Sequence, residues 1–217
     1  MVLISHRYKF IYLKNYKVAG SSVESFFGQF CINPSDIPRY TFEDKIEESV
    51  SEYGIIGSRM TQHKKWFNHK TAADIRRDIG STIFKKYFKF CVVRNPYDLI
   101  VSSYFWEQQN KKNKQDFKTY CKQYSKTLNL STDNLNRIFL DNKPVCQYYI
   151  RYENLIDDIL VVLDKLGITD FDISKLPNHK SGIRPSDSTY KEYYDEETKQ
   201  IVYNLFKREI ILFGYTF

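Results

Sequence analysis

The chain has 217 residues, of which 42% are hydrophobic and 17% aromatic, so its length and apolar content suit one domain with a substantial core. It contains no run of about 18 apolar residues that would predict a transmembrane helix. Its four cysteines are scattered without a C-x-x-C pair. This pattern argues against a zinc site or a disulfide framework and favours a reducing compartment. The formal net charge of +7 favours an anionic substrate or a polyanionic partner, although a solvated basic surface would carry the same charge.

The first segment with a chemical signature spans residues 10–30 and predicts a strand, a tight loop and a helix. Its apolar, β-prone run passes through Lys17 and Gly20 and meets Ser21 and Ser22, which suit a helix N-cap. The N–H groups and the positive dipole end of such a helix attract anions, Gly20 lets a ligand approach the backbone, and Lys17 adds a charge. The segment therefore predicts a phosphate or sulfate site, with an ordinary strand-to-helix turn as the alternative.

The spacing of this loop differs from those of the common nucleotide-binding loops. The triphosphate pattern G-x-x-x-x-G-K-[ST] needs Lys after the second Gly, whereas Lys17 precedes Gly20. The dinucleotide pattern G-x-G-x-x-G is also missing.

The middle of the chain predicts a second strand followed by a helix. The run at 89–93, which is apolar after Lys89, is typical of a central parallel strand, and Asn95 and Pro96 suit the N-cap and first position of a helix that runs to about residue 109. Before it, Thr71 would cap a helix that ends at Gly80. The other predicted elements are strands at 53–57 and 144–152 and helices at 82–87, 117–124, 155–166 and 190–213.

Alternating strands and helices predict an α/β fold with a mostly parallel central sheet flanked by helices, in a single domain over residues 1–217. Ligands of such sheets bind at the carboxyl ends of the strands, where residues 17–22 and 94–102 both lie. If the two strands are neighbours, both segments face one crevice. Arg94 suits bidentate contact with a phosphate and the hydroxyl of Ser102 adds a donor, so a ligand with two separated phosphate-like groups would satisfy both segments.

These two segments resemble motifs of the sulfotransferase family. Residues 17–22, K-V-A-G-S-S, resemble the 5′-phosphosulfate loop K-x-[AG]-G-[ST]-[ST] of carbohydrate sulfotransferases and their bacterial relatives, and residues 94–98, R-N-P-Y-D, with Ser102 resemble the 3′-phosphate motif. Their order and their separation of about 75 residues are more specific than either motif alone. Residues 151–155 and the C-terminal region are similar to further family segments, so the resemblance spans nearly the whole chain. One departure is Tyr16, where relatives often have proline.

The resemblance implies a P-loop-like sulfotransferase fold and a metal-free, in-line transfer of sulfonate from 3′-phosphoadenosine 5′-phosphosulfate to an acceptor hydroxyl, or less often an amine. Lys17 would neutralise charge on the bridging oxygen as it leaves, the loop backbone would hold the 5′-phosphate, and Arg94 and Ser102 would hold the 3′-phosphate. A late basic loop with Lys180 and Arg184 would cover the nucleotide. The donor-binding residues implied are Lys17, Ala19, Gly20, Ser21, Ser22, Arg94, Ser102, Lys180 and Arg184.

The acceptor hydroxyl needs a general base, and histidine suits this role near neutral pH. His69 resembles a histidine that recurs before a helix in the family, which makes it the first candidate and His63 the second, with exposed loop histidines as the alternative. A nearby Lys65 or Lys70 would lower the pKa of His69 and keep it neutral. Glu153 is expected to be structural.

The acceptor is expected to be a carbohydrate, because the loop resembles that of carbohydrate-modifying members, and no nucleic-acid partner is expected. Two other functions stay open: a kinase-like P-loop enzyme, which would need an aspartate for magnesium, and a basic polyanion-binding module using the interleaved Tyr and Lys residues at 118–126. The N-terminus lacks the features of a signal peptide, so a cytoplasmic bacterial or viral protein is expected, or a Golgi-lumen protein if an anchor has been removed.

Overall fold

Two units account for the residues that the structure describes. The computed structural model describes residues 1–40, 47–59, 64–127, 130–178, 183–185 and 188–217, with the backbone alone at 38–39, 126–127 and 130–133. The first unit comprises Met1–Val93 and Asn136–His179, and the second comprises Arg94–Leu135 and Lys180–Phe217. The single domain over residues 1–217 stays a prediction.

A six-stranded sheet with the order β3-β4-β1-β2-β5-β8 forms the centre of the first unit. The strands of the chain are β1 (Leu3–Ser5), β2 (Phe10–Leu13), β3 (Ser49–Val50), β4 (Gly54–Ile56), β5 (Phe88–Val93), β6 (Phe139–Leu140), β7 (Lys143–Pro144) and β8 (Tyr148–Arg151), of which β6 and β7 form a separate pair. β5 pairs in parallel with β2 and β8. β1 pairs antiparallel with β2 and β4, and β3 pairs antiparallel with β4.

The sheet is therefore mixed, and the prediction of a mostly parallel sheet is wrong. The physical reason is the connection between β1 and β2, which join at Ser5 and Phe10 through residues 6–9. A connection this short can only reverse the chain, because parallel neighbours need a crossover of a dozen or more residues. The parallel half of the sheet contains the two strands that precede the predicted anion-binding segments.

Helices follow the strands in an α/β arrangement, as the sequence predicts. They are α1 (Gly20–Gly28), α2 (Ala72–Ile79), α3 (Ser81–Lys86), α4 (Pro96–Gln108), α5 (Phe117–Thr127), α6 (Leu130–Ile138), α7 (Leu155–Lys165) and α8 (Glu196–Phe213). No helix among the described residues is long and apolar enough to cross a bilayer.

Aromatic packing fixes α1 on the sheet of the first unit. The ring of Phe27 lies 5.8 Å from that of Phe10 in β2 and 4.8 Å from that of Phe90 in β5. All three side chains are buried, and burial of each such side chain contributes about 1.5–3 kcal/mol. The position of the start of α1, and so of the loop before it, is thus set by the core.

The predicted cap of α2 is confirmed, because Thr71 accepts a hydrogen bond from the N–H of Asp74.

In the second unit, α4 begins as predicted. The side chain of Asn95 accepts a hydrogen bond from the N–H of Tyr97, with Pro96 at the first helical position. The C-terminal helix predicted from residue 190 is instead two segments, a 3-10 turn at Tyr190–Tyr193 and then α8. The break arises because Asp195 caps α8 by accepting from the N–H of Thr198, and a capping residue lies outside the helix that it starts.

Candidate active site

The loop between β2 and α1 carries two residues in the left-handed region of backbone space. Lys17 has φ 60° and Ala19 has φ 59°. This conformation costs about 1–2 kcal/mol for each residue with a Cβ atom, so both are strained. The strain turns the chain sharply from the end of a buried strand into α1.

The start of α1 has no capping side chain. Ala19 is the N-cap residue, and its carbonyl oxygen accepts from the N–H groups of Ser22 and Val23. The predicted N-cap role of Ser21 and Ser22 is therefore wrong, because the left-handed turn at Ala19 starts the helix earlier and puts both serines in its first turn. Gly20 and Ser21 precede the first hydrogen bond inside the helix, and their N–H groups lie at the positive end of its dipole. This arrangement suits a phosphate or another anion.

A buried ion-pair cluster lies beneath the loop. Lys14 Nζ lies 2.6 Å from Glu24 Oε2 and Arg59 Nη2 lies 3.2 Å from the same oxygen, with Glu24 fully buried. The buried amino group of Met1 pairs with the other oxygen, Oε1, so three amino or guanidinium groups surround this carboxylate. Such a concentration of positive charge favours an anion nearby. A Cβ atom at Gly20 would lie 2.9 Å from Lys14 Cε, so glycine gives this lysine its room.

Sequence reasoning missed this cluster, although two signals were present. Lys14 follows an apolar run without a break, and Glu24 stands next to Val23 on the apolar side of α1. A charge in either place predicts a buried partner, because an unpaired buried charge is very costly.

The structure brings His69 to the same loop as Lys17. The Nδ1 atom of His69 lies 3.1 Å from the carbonyl oxygen of Lys14, and its ring stacks on that of Tyr16 with 3.8 Å between the ring centres. A carbonyl oxygen can only accept, so Nδ1 carries the proton and Nε2 is the basic nitrogen of the neutral ring. His63, the second candidate, lies outside the described residues.

The surroundings of His69 strongly disfavour its protonation. Burial, together with the charges of Lys14, the chain's amino group and Arg137, lowers the pKa of His69 from 6.5 to about 2. Lys65 and Lys70, which the sequence suggested for this effect, are not among the causes. Lys70 instead pairs with Asp78 and donates to the carbonyl oxygen of Lys65.

In the second unit, a shared carboxylate joins two of the predicted donor-binding residues. Arg94 Nε and Nη2 each lie 2.7 Å from Asp98 Oδ2, and Arg184 Nη1 lies 2.6 Å from Asp98 Oδ1. Asp98 is only 6% exposed. Two guanidinium groups on one carboxylate form a positively charged cluster that suits a phosphate. Ser102 lies two turns into α4 and is half-buried, whereas Lys180 lies outside the described residues.

The third family-like segment is held by an aspartate. Asp158 is buried and accepts hydrogen bonds from the hydroxyl of Tyr148, the backbone N–H of Arg151 and the side chain of Asn154. Glu153, for which the sequence suggested a structural role, is exposed.

The described residues contain no group of three His, Cys, Asp or Glu side chains placed to hold a metal ion.

Comparison with known proteins gives a family for this chain. The model of the sulfotransferase family matches residues 1–216. A protein of Archaeoglobus fulgidus, described only as uncharacterized, is 31% identical over 101 residues, which cover 44% of this chain and 81% of that protein. No solved structure matches. Because the family match extends over almost every residue, the chain belongs to the sulfotransferase family.

Proposed function

We propose that this protein transfers a sulfonate group from 3′-phosphoadenosine 5′-phosphosulfate to a hydroxyl group of a carbohydrate, on a P-loop-like fold. The observation that carries the proposal is the loop after β2. Lys17 stands there in a strained turn, and α1 begins directly afterwards at Gly20 with no capping side chain. Family membership supports the reaction, and the resemblance of the loop to carbohydrate-modifying members supports the acceptor class.

The loop of the first unit would bind the phosphosulfate end of the donor. The N–H groups of Gly20 and Ser21 would hold the 5′-phosphate, and the donor supplies the activated sulfonate there. The N–H group of Ser22, which was expected to join them, donates instead to the carbonyl oxygen of Ala19. Lys17 would stabilise the negative charge that grows on the leaving oxygen. The catalytic contribution of these residues is positioning and charge stabilisation, as in phosphoryl transfer.

The cluster of the second unit would recognise the 3′-phosphate. Arg94 supplies a guanidinium group beside Asp98, Arg184 adds a second, and Ser102 supplies a hydroxyl. This group would separate the donor from ATP and ADP, which carry no 3′-phosphate.

His69 would accept the proton of the acceptor hydroxyl at Nε2. Its hydrogen bond to the Lys14 carbonyl fixes the tautomer that this requires. With a pKa of about 2 the ring is neutral at pH 7 but weakly basic. An anionic donor would raise the pKa of His69, because its charge offsets those of Lys14 and Arg137.

The non-catalytic alternative loses its main support in the second unit. Tyr120 and Tyr124, which were candidates for stacking on a nucleic acid, are buried. Lys118, in the same stretch, forms ion pairs with Asp195 and Glu197 at the surface, and these pairs already neutralise its charge. A kinase-like enzyme would need the two glycines of the triphosphate pattern before its lysine, and residues 11–16 contain no glycine.

The test is transfer of labelled sulfonate from the donor to a panel of carbohydrates. Lys17→Ala and Arg94→Ala should each remove donor binding or turnover, whereas His69→Ala should bind the nucleotide and lose transfer. Lys9→Ala is the matched control, because Lys9 is also a left-handed lysine, with φ 54°, at the other end of β2. Normal turnover by His69→Ala would rule out the base assignment.

A further inference from the structure

The ring of Tyr16 lies between a histidine and an arginine of the first unit. His69 stacks on it with 3.8 Å between ring centres and 27° between ring planes. The guanidinium carbon of Arg137, in the last turn of α6, lies 4.2 Å from the centre of the same ring. We call these three side chains the Tyr16 stack.

The two neighbours must cover opposite faces of the ring. A stacked imidazole and a guanidinium group that both lie about 4 Å from one ring centre would overlap if they shared a face, because non-bonded carbon atoms approach to about 3.5–4 Å. Arg137 is only 8% exposed, so its charge acts on the ring with little screening. Tyr16 is therefore held from both sides by residues far from it in sequence.

The stack also joins two strained positions of the backbone. Lys17 follows Tyr16 directly and has φ 60°, and His69 itself has φ 58°. Residues with a Cβ atom keep this conformation only where their surroundings over-determine it, and such positions concentrate at functional sites. Contact between Tyr16 and His69 lets each strained turn support the other.

We propose that Tyr16 is a positioning residue that holds the donor loop and His69 in one fixed arrangement, with Arg137 as its support on the opposite face. A proline before Lys17 would stiffen the loop by fixing φ within the chain. This protein has tyrosine there and stiffens the loop by contacts from outside it. The part of this inference that concerns the donor rests on the proposed function; the stack itself does not.

The experiment compares Tyr16→Leu, which removes the stacking ring, with Tyr16→Phe, which restores it. Tyr8→Leu is the matched control, because Tyr8 lies in the same unit with the guanidinium carbon of Arg7 4.7 Å from its ring centre and an aromatic neighbour at 5.7 Å. Two quantities are measured: the affinity for 3′-phosphoadenosine 5′-phosphate by calorimetry, and the ring-current shift of the His69 ring protons by NMR, assigned with His69→Asn.

We expect Tyr16→Leu to abolish the ring-current shift and to weaken nucleotide binding at least tenfold, and Tyr16→Phe to restore both. Arg137→Gln should weaken binding about threefold, and it provides the test if Tyr16→Leu does not fold. Tyr8→Leu should lower only the melting temperature. Wild-type affinity in Tyr16→Leu would overturn the positioning role, because a packing residue would affect stability alone.

Failure of the proposed function would give a different pattern. In that case the wild-type protein does not bind the nucleotide, and the ring-current shift alone decides whether the Tyr16 stack exists. A His69 signal that is the same in the wild type and in Tyr16→Leu would overturn the stack whatever the ligand.

Discussion

The protonation of His69 should make the free energy of unfolding depend on pH. Burial and nearby cations lower its pKa from 6.5 to about 2 in the folded protein. Because the folded-state value is the lower one, the unfolded chain binds a proton in the pH range between about 2 and 6.5 that the folded protein does not. Above pH 6.5 the ring is neutral in both states and costs the folded protein nothing. Below pH 6.5 the free energy of unfolding falls as the pH decreases.

The size of the effect follows from the two pKa values. Each pH unit below the unfolded-state pKa costs about 1.4 kcal/mol, so lowering the pH from 7.5 to 5 should remove about 2 kcal/mol of the free energy of unfolding through this one residue. His6, whose pKa burial also lowers, acts in the same direction. The measurement must therefore isolate His69 by difference.

The suitable variant is His69→Asn, because asparagine tolerates the left-handed backbone and its amide can still donate to the carbonyl oxygen of Lys14. Urea unfolding of both proteins at pH 7.5 and pH 5 gives the four free energies. The wild type should lose about 2 kcal/mol more than the variant. Equal losses would refute the reasoning, since His69 would then titrate alike in the folded and unfolded states.

Three further predictions concern polar side chains that hold local structure. Glu24→Gln should cost about 3–5 kcal/mol in urea unfolding, because it leaves Lys14, Arg59 and the amino group of Met1 without their carboxylate; a cost under about 1 kcal/mol would show that the cluster is hydrated. Asp98→Asn should release Arg94 and Arg184 from their shared partner and lower the affinity for 3′-phosphoadenosine 5′-phosphate in calorimetry by disordering both; unchanged affinity would contradict a joint role. Thr71→Ala should destabilise by about 1 kcal/mol through loss of the helix cap, while an unchanged melting temperature would contradict that cap.

Much of the parallel half of the fold could be predicted from the sequence. The run at 90–93 is apolar throughout, and Asn95 and Pro96 mark the next helix through local hydrogen-bonding and φ preferences. The α2 cap at Thr71 is equally local. Such signals depend on residues at most four positions apart, so the element that they start can be recognised from the sequence without knowledge of the fold.

In the antiparallel half, β4 lies within the strand predicted at 53–57, but β1 and β3 could not be predicted in the same way. β1 has three residues and β3 has two, which is too short for a periodic pattern. Their identity as strands comes from pairing with β4 and β2, which is a non-local property.

The residues of the candidate site also divide into those that a local sequence motif indicates and those that only the folded structure brings together. Lys17, Gly20 and Arg94 stand in motifs of fixed spacing, so the sequence alone indicates them. The contact of Tyr16 with Arg137 joins residues far apart in the chain, and no local pattern indicates it. Arg184 was expected at the nucleotide only by resemblance; its hydrogen bond to Asp98 is non-local, and its contact with a nucleotide stays a prediction.

The most direct test of the central claim is thermal stabilisation of the wild-type protein by 3′-phosphoadenosine 5′-phosphate, with ADP and ATP as controls. A ligand present at about 100 times its dissociation constant adds about 2.7 kcal/mol to the free energy of unfolding, which shifts the melting temperature measurably. The account predicts a large shift with the bisphosphate and little with ADP or ATP, because Arg94 and Arg184 are assigned to the 3′-phosphate. An equal or larger shift with ATP, or no shift with any of the three nucleotides, would contradict it.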